Sequence, residues 1–375
     1  MHETISPPPR RARRFSRFLI ALVVAAVVVV GLRAWSTNEY AITPGNATDV
    51  APLVTIKGLA TNSAADRIML VDVYLQPLSE LQFLWMHFQS HVQFVTASQL
   101  LDPGIPASEL DAQGFLQMSD SQESAEVAAL RALGWKIPAT MTGAVITAVA
   151  NNTPAAHASL HVGDEITAVD GRAVTSACTL IGSLEHVAAH TVVHVTLRRT
   201  TFSTTGVLRR GGLVTLKVTT AASPDAHART GCAQFPTSGP SFLGVVPEDG
   251  ATFDLPGNIS VNTANIGGPS AGLAMTLTII DKLSKGSLTG HHAIAATGTM
   301  DPYGDVGDVG GVAEKTIAVE NAGAKYFFVP QVEVATARSV ANSSLHIIGV
   351  TTLHQVLTDL RKLGGAAPVA LTAPR

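Results

Sequence analysis

The stretch at residues 267–275, GGPSAGLAM, limits what this chain can fold into more tightly than any other. Two glycines and a proline stand directly ahead of a serine. The serine opens the run SAGLAMTLTIIDKL, in which Leu273, Leu277 and Ile280 recur at helical spacing with Ala274, Met275 and Ile279 beside them. That pattern predicts a buried helix with Ser270 at or near its start. The glycines allow close backbone approach and positive φ, and Pro269 fixes the backbone ahead of the helix. A serine so placed is either an N-cap or a hydroxyl held where free helix N–H groups stabilise negative charge.

The surrounding segments decide between the two. Residues 242–266 have strand character. After the helix come AIAATGTM as a strand, the turn-rich DPYGDVGDVGG and the helix VAEKTIAVENAGA. The strands KYFFVP and LHIIGV and a closing amphipathic helix, TTLHQVLTDLRKL, complete the unit. Strands interleaved with helices predict an α/β unit. Lys315 falls in the first turn of the second helix, just after Gly310 and Gly311. Alone it reads as a solvated surface lysine. With Ser270 it reads as half of a pair, because a serine hydroxyl needs a base, and a lysine serves as one once burial makes it neutral.

The pentapeptide GPSAG at 268–272, the spacing of Gly310, Gly311 and Lys315, and the pair Thr297-Gly298 resemble the proteolytic domain of the Lon family, the Ser-Lys peptidases. The resemblance implies that Ser270 is the nucleophile and Lys315 its base. Thr297 would orient the amine, and Gly268, Pro269, Gly310 and Gly311 would shape the loops. One position departs: Gly267 stands where the ATP-dependent members carry an acidic residue. The chain also has no G-x-x-x-x-G-K-[ST] phosphate loop, so the expected cleavage is ATP-independent.

Upstream, residues 143–174 alternate strands with tight turns. The stretch TPAAHASLHVGDEITAVDG resembles a bacterial PDZ domain, which implies binding of polypeptide segments by strand addition. The expected groove lies between the strand 143–149 and the helix 176–188. ALGWKIPATM ahead of that strand shows no plain carboxylate-binding loop, which leaves internal segments as ligands beside C-termini.

The N-terminus adds RRARRFSR at 10–17, followed by fifteen uncharged residues, FLIALVVAAVVVVGL. Basic residues ahead of an apolar run predict an anchor with a cytoplasmic N-terminus and the rest of the chain extracytoplasmic; the alternative is a cleaved signal peptide, against which stands the lack of an A-x-A site after the run. Such a compartment permits a Cys178–Cys232 disulfide, which the sequence leaves open. A net charge of −3 gives no sign of nucleic-acid binding, and the scattered histidines show no zinc spacing.

These readings give a multidomain chain of α/β and α+β parts. Its parts are a basic tail (1–17), a transmembrane helix (18–35), an α+β region without chemical signature (36–135) and a PDZ domain (136–220). A linker (221–241), a Lon-like α/β proteolytic domain (242–365) and a tail (366–375) follow. Within the third part, 67–75 is expected as a strand, 78–101 as a helix with Leu81, Leu84, Trp85, Phe88 and Val92 on one side, and 119–133 as a helix. The expected function is a membrane-anchored serine endopeptidase with no cofactor or metal, acting on polypeptides; the family resemblance alone adds a ring-shaped homo-oligomer. The alternative is a PDZ-based scaffold with an inert Lon-like domain.

Overall fold

The computed structural model describes residues 10–62, 66–101, 104–203, 206–224, 230–235, 237 and 239–368. The first nine residues of the basic tail, part of the linker and the end of the C-terminal tail lie outside them.

In chain order the elements are α1 (Arg10–Ala34), β1 (Ser36–Asp49), β2 (Val54–Lys57), β3 (Ile68–Ser79), α2 (Glu80–Met86), β4 (Gln93–Thr96), α3 (Ala97–Leu100) and α4 (Leu110–Ala132). Next come β5 (Ala139–Val149), α5 (Pro154–His157), β6 (Glu165–Val169), β7 (Arg172–Ala173), α6 (Ala177–Leu184), β8 (Val192–Phe202), β9 (Leu208–Thr219), β10 (Ala221–Ala222), β11 (Ser241–Phe242) and β12 (Val245–Phe253). The last part holds β13 (Asn258–Val261), α7 (Gly272–Leu283), β14 (Ile294–Ala296), β15 (Thr299–Met300), β16 (Val306–Gly307), α8 (Val312–Asn321), β17 (Tyr326–Pro330), α9 (Val334–Val340), β18 (His346–Val350) and α10 (Leu353–Lys362). They form two compact units, residues 1–43 with 74–100, and residues 44–73 with 101–375.

In the first unit β4 pairs antiparallel with β1, Tyr40 opposite Val95, around a small core of Ala41, Leu78 and Met86. The helix expected over 78–101 is shorter: α2 starts at a Ser79–Gln82 capping box and ends at Met86. His91 then takes a positive φ of 64°, and the β-prone run QFVT becomes β4. The expected apolar face is therefore largely not core, with Trp85 68% and Phe88 88% exposed. The anchor expected at 18–35 is helical as far as Ala34. Among the described residues, however, no helix is long and apolar enough to cross a membrane. The uncharged run holds fifteen residues before Arg33, against the roughly 20 that a span requires.

Beside the short pairs β2–β13, β10–β11 and β15–β16, the second unit contains two larger sheets. One is parallel, with β3, β14, β17 and β18 side by side and Ala295 in register with both Met69 and Phe327. One core joins Leu70, Ala296 and Phe328 of this sheet with Ala128 of α4, Leu277 of α7 and Val356 of α10. Another joins Met69, Ala295 and Phe327 with Val319 of α8 and Ala337 of α9. Alternate residues of the short, apolar strands serve the two cores, as in a sheet covered on both faces.

The other sheet is antiparallel, in the order β12-β5-β6-β8-β9. Its Asp-Gly turn matches the sequence reading: Asp170 and Gly171 both have positive φ, and β7 folds back on β6. Asp164 is fully buried and accepts from Arg199 (2.6 Å) and from the Thr200 amide (3.0 Å). The strand beside β5 on its outer side is β12, with Gly143 opposite Gly250. Both edges of β5 are thus occupied, and the expected groove along 143–149 is not open. β12 is the terminal strand, and the Ala177 amide at the start of α6 donates to its Asp249 (2.8 Å).

Two expected boundaries do not separate folded bodies. β2 pairs with β13, Val54 opposite Val261, and α4 packs in the core with α7, so parts of 36–135 complete the α/β body. The linker is closed at its base by β10 against β11 and tied by a Cys178–Cys232 disulfide to α6. With the cysteines 54 positions apart in sequence, replacing both by serine is expected to lower stability by about 2–4 kcal/mol in urea denaturation. A double variant as stable as the parent would show that the pairings at the loop's base suffice.

Candidate functional site

The residues singled out by sequence meet at the end of β14. Ser270 lies two residues before α7, in a turn, and is half-buried. Its carbonyl accepts two hydrogen bonds, from the Gly298 amide (3.0 Å) and the Thr297 hydroxyl (3.2 Å). The Gly298 carbonyl in turn accepts from the Leu273 amide (3.1 Å). The Thr-Gly pair therefore grips the loop and the first turn of the helix together.

Lys315 approaches from the first turn of α8, whose N-cap is Gly311 in the left-handed region. The Lys315 residue is 2% exposed, and its Nζ donates to Thr297 Oγ1 at 3.3 Å. The structure thus brings Ser270, Thr297 and Lys315 together, linked through the Thr297 hydroxyl and the Ser270 carbonyl. The amine's hydrogen bond goes to Thr297 rather than to Ser270. Gly310 and Gly311 lead directly into α8.

Burial pushes the Lys315 ammonium from 10.5 down to about 8, against the opposing pull of the Glu333 and Asp72 carboxylates. Neither carboxylate was marked by sequence. Glu333 sits at the end of a short 3-10 turn after β17 and accepts from the Val309 amide (2.7 Å); its other oxygen is buried without a hydrogen bond among the described residues. Burial raises the pKa of Glu333, while the Val309 amide and Lys315 oppose the rise. Asp72 lies on β3, within the region that carried no signature.

Sequence reading also missed the support under the serine loop. The Gly268 amide donates to the Gly114 carbonyl of α4 (2.8 Å), and Ser121 Oγ of α4 donates to the Pro269 carbonyl (2.9 Å). A Cβ on Gly267 would stand 3.3 Å from the Gly114 backbone, so this close approach leaves little room for a larger side chain there. Gly268 has φ +85° with open space around it, so its glycine is explained by conformation. For Gly272 the reason is space: a Cβ would stand 2.9 Å from the Met300 amide and 3.0 Å from Ser121 Oγ. The signal for α4 was a glycine and a serine seven residues apart on one helix, which has no meaning until the loop they hold is known.

Two family profiles match parts of the chain. Residues 116–218 match the family profile of the PDZ domain, and residues 262–362 that of the Lon protease (S16) C-terminal proteolytic domain. A Lon protease of Rickettsia bellii is 31% identical over 118 residues, covering 31% of this chain and 15% of that protein. A Lon protease of Rickettsia typhi is 28% identical over 166 residues, covering 44% of this chain and 20% of that protein. The chain therefore spans no more than 20% of the length of these two relatives. Among solved structures, the PDZ domain of an SdrC-like protein from Listeria monocytogenes matches at 19% identity and a TM-score of 0.21, over 29% of this chain and 90% of that one. The chain carries a PDZ domain and a Lon-type proteolytic domain, the second being the domain of a peptidase.

Two outcomes follow from the packing. Gly272→Ala is expected to cost about 1–3 kcal/mol through overpacking, read as a lower urea midpoint; an unchanged midpoint would mean that Met300 and Ser121 yield freely. Lys315→Met is expected to stabilise the fold below pH 8, by up to about 3 kcal/mol. The sign follows from protonation: below pH 8 the folded chain holds a buried ammonium that the unfolded chain solvates. The gain should shrink as pH rises from about 8 towards 10.5, where the folded lysine is neutral. Urea titrations at pH 6.5 and pH 10 give the comparison.

Proposed function

We propose that this chain is a serine endopeptidase that cleaves extracytoplasmic polypeptides with Ser270 as nucleophile and Lys315 as general base. The observation that carries the reading is the buried Lys315 amine, held by Thr297 beside the Ser270 turn and shifted towards its neutral form. At pH 7 a lysine with a pKa of about 8 is neutral in about one molecule in ten. Neutral Lys315 takes the Ser270 proton as Oγ attacks the substrate carbonyl carbon. The amides of Ser270 and Ala271 make no backbone hydrogen bond among the described residues and stand at the start of α7, a position suited to the oxyanion. The Lys315 ammonium gives its proton to the departing amine, leaving an acyl ester on Ser270. Water then attacks the ester, its proton passing to Lys315 and from there to Ser270 Oγ as the acid leaves. No step draws on ATP.

For the PDZ domain, the reading assigns capture of an extended segment to the open side of β12, opposite α6. The sequence FLGVV at 242–246 is the glycine-containing turn into that strand, and Gly244 has φ +88°. A ligand there would hold substrate close to Ser270 and raise its effective concentration. For localisation, we propose that α1 holds the chain at a membrane with the arginine cluster cytoplasmic, its short apolar run extended to a span by Arg33 snorkelling to the interface beside Trp35. The large apolar residues from Phe18 to Val30 are about half exposed or more, and the carbonyl of the exposed Trp35 accepts from the Glu80 amide at the start of α2. The disulfide supports an oxidising compartment for the rest.

The test is cleavage of an unstructured protein by purified chain. Ser270→Ala and Lys315→Ala should each lose at least ~10³-fold in kcat/KM while remaining folded, and the double variant should lose no more than either. In the parent, kcat/KM should rise about tenfold per pH unit below pH 8 and level off above it. Folded Lys315→Ala with near-normal turnover would remove Lys315 from the chemistry. Protease treatment of spheroplasts should degrade the chain beyond α1; full protection would reverse the topology.

A further inference from the structure

The chemistry above leaves one face of α4 unused. Ser119, Gln122 and Glu126, spaced three and four residues apart, line a cavity of about 620 Å³. The opposite wall is β13, and the start of β9 contributes Leu208. The cavity reaches Ile266, four residues before Ser270. β13 pairs with β2 in a two-stranded ribbon, so among the described residues it has a partner strand on one edge only. Gln122 Nε2 spans from α4 to Thr263 Oγ1 at 2.9 Å and ties the wall to the segment that leads into the serine loop.

Glu126 is 8% exposed, and its side chain lines this cavity. No described donor or cation pairs with it. The one charge bearing on it is another carboxylate, Glu123, and no other ionisable side chain lines the cavity. Burial therefore pushes its pKa up to about 8. A largely buried carboxyl group with no cation beside it is a cost to the fold. That cost is relieved when a cation enters.

We propose that this cavity is a specificity subsite, in which a polypeptide laid along the open edge of β13 presents a lysine or arginine side chain to Glu126. The inference rests on the peptidase reading of Ser270. An ammonium entering the cavity stabilises the carboxylate, so Glu126 gives its proton to solvent and a buried ion pair forms. Ser270 lies a few residues beyond the same wall, so the selected side chain lies on the part of the substrate that leads to the scissile bond. Neither Glu126 nor β13 acts on the reacting atoms; they position the substrate.

The test uses binding rather than turnover, so it stands apart from whether Ser270 is the nucleophile. The full chain carrying Ser270→Ala is titrated with fluorescent decapeptides. One lysine is scanned along the peptide, and each member is compared with its norleucine counterpart. At one position the lysine peptide should bind about tenfold or more tightly, and its binding at pH 7 should release a proton, read by calorimetry in buffers of different ionisation heat. In the Ser270→Ala, Glu126→Gln variant both the preference and the proton release should vanish. Norleucine peptides should bind the two variants equally, which also reports an intact fold. A lysine preference that survives Glu126→Gln, no preference at any position, or no binding by any peptide would each overturn the subsite.

Discussion

The carbonyl oxygen of Ser270 is the point on which the site depends. Two donors from the end of β14 converge on it, the Gly298 amide and the Thr297 hydroxyl, and the Lys315 amine hangs from the same hydroxyl. The parallel sheet thus sets the place of the serine turn from one side, while α4 sets it from the other through the Gly268 amide and the Pro269 carbonyl. A side chain on a loop gains the precision of the core because the loop's polar backbone groups are taken up by rigid elements. The same enclosure dries the lysine. Burial and positioning therefore have one cause, and a change that loosens the clamp also rehydrates the amine.

The antiparallel sheet is inserted into this arrangement rather than strung before it. The chain leaves the α/β body at the end of α4, builds β5 to β9, loops back through the disulfide-tied segment and returns along β12 into β13. β12 belongs to one sheet and, after four intervening residues, β13 belongs to the ribbon beside the serine loop. The open edge of β12 and the loop that carries Ser270 thus lie on one continuous run of chain.

What the sequence disclosed and what it withheld divide by range. Ser270, Lys315 and Thr297 were legible because glycine, proline and serine act on their own backbone, so a motif of five residues carries its own geometry. The strand 67–75 and the helix 119–133 were also legible as elements, yet they were assigned to a region without chemistry. Their meaning rests on partners far along the chain: Ile68 needs Ile294, and Ser121 needs Pro269. The open edge of the PDZ domain was missed for the same reason, since its strand comes after the linker. The helix expected over 78–101 failed differently. Apolar spacing suited a helix, but the β-prone QFVT and the turn at His91 set the local structure. Glu126 gave no signal, because a glutamate on a helix is ordinarily solvated.

The pairing of Val54 with Val261 has a consequence for how the molecule is made. Chains fold from the N-terminus as they emerge, and local contacts form before distant ones. The antiparallel sheet from β5 to β9 can close from its own residues, whereas the ribbon beside the serine loop must wait until β13 has been synthesised. Lys315 and the strands beneath it arrive later still. A nascent chain therefore passes through most of its synthesis before Ser270, Thr297 and Lys315 can be brought together.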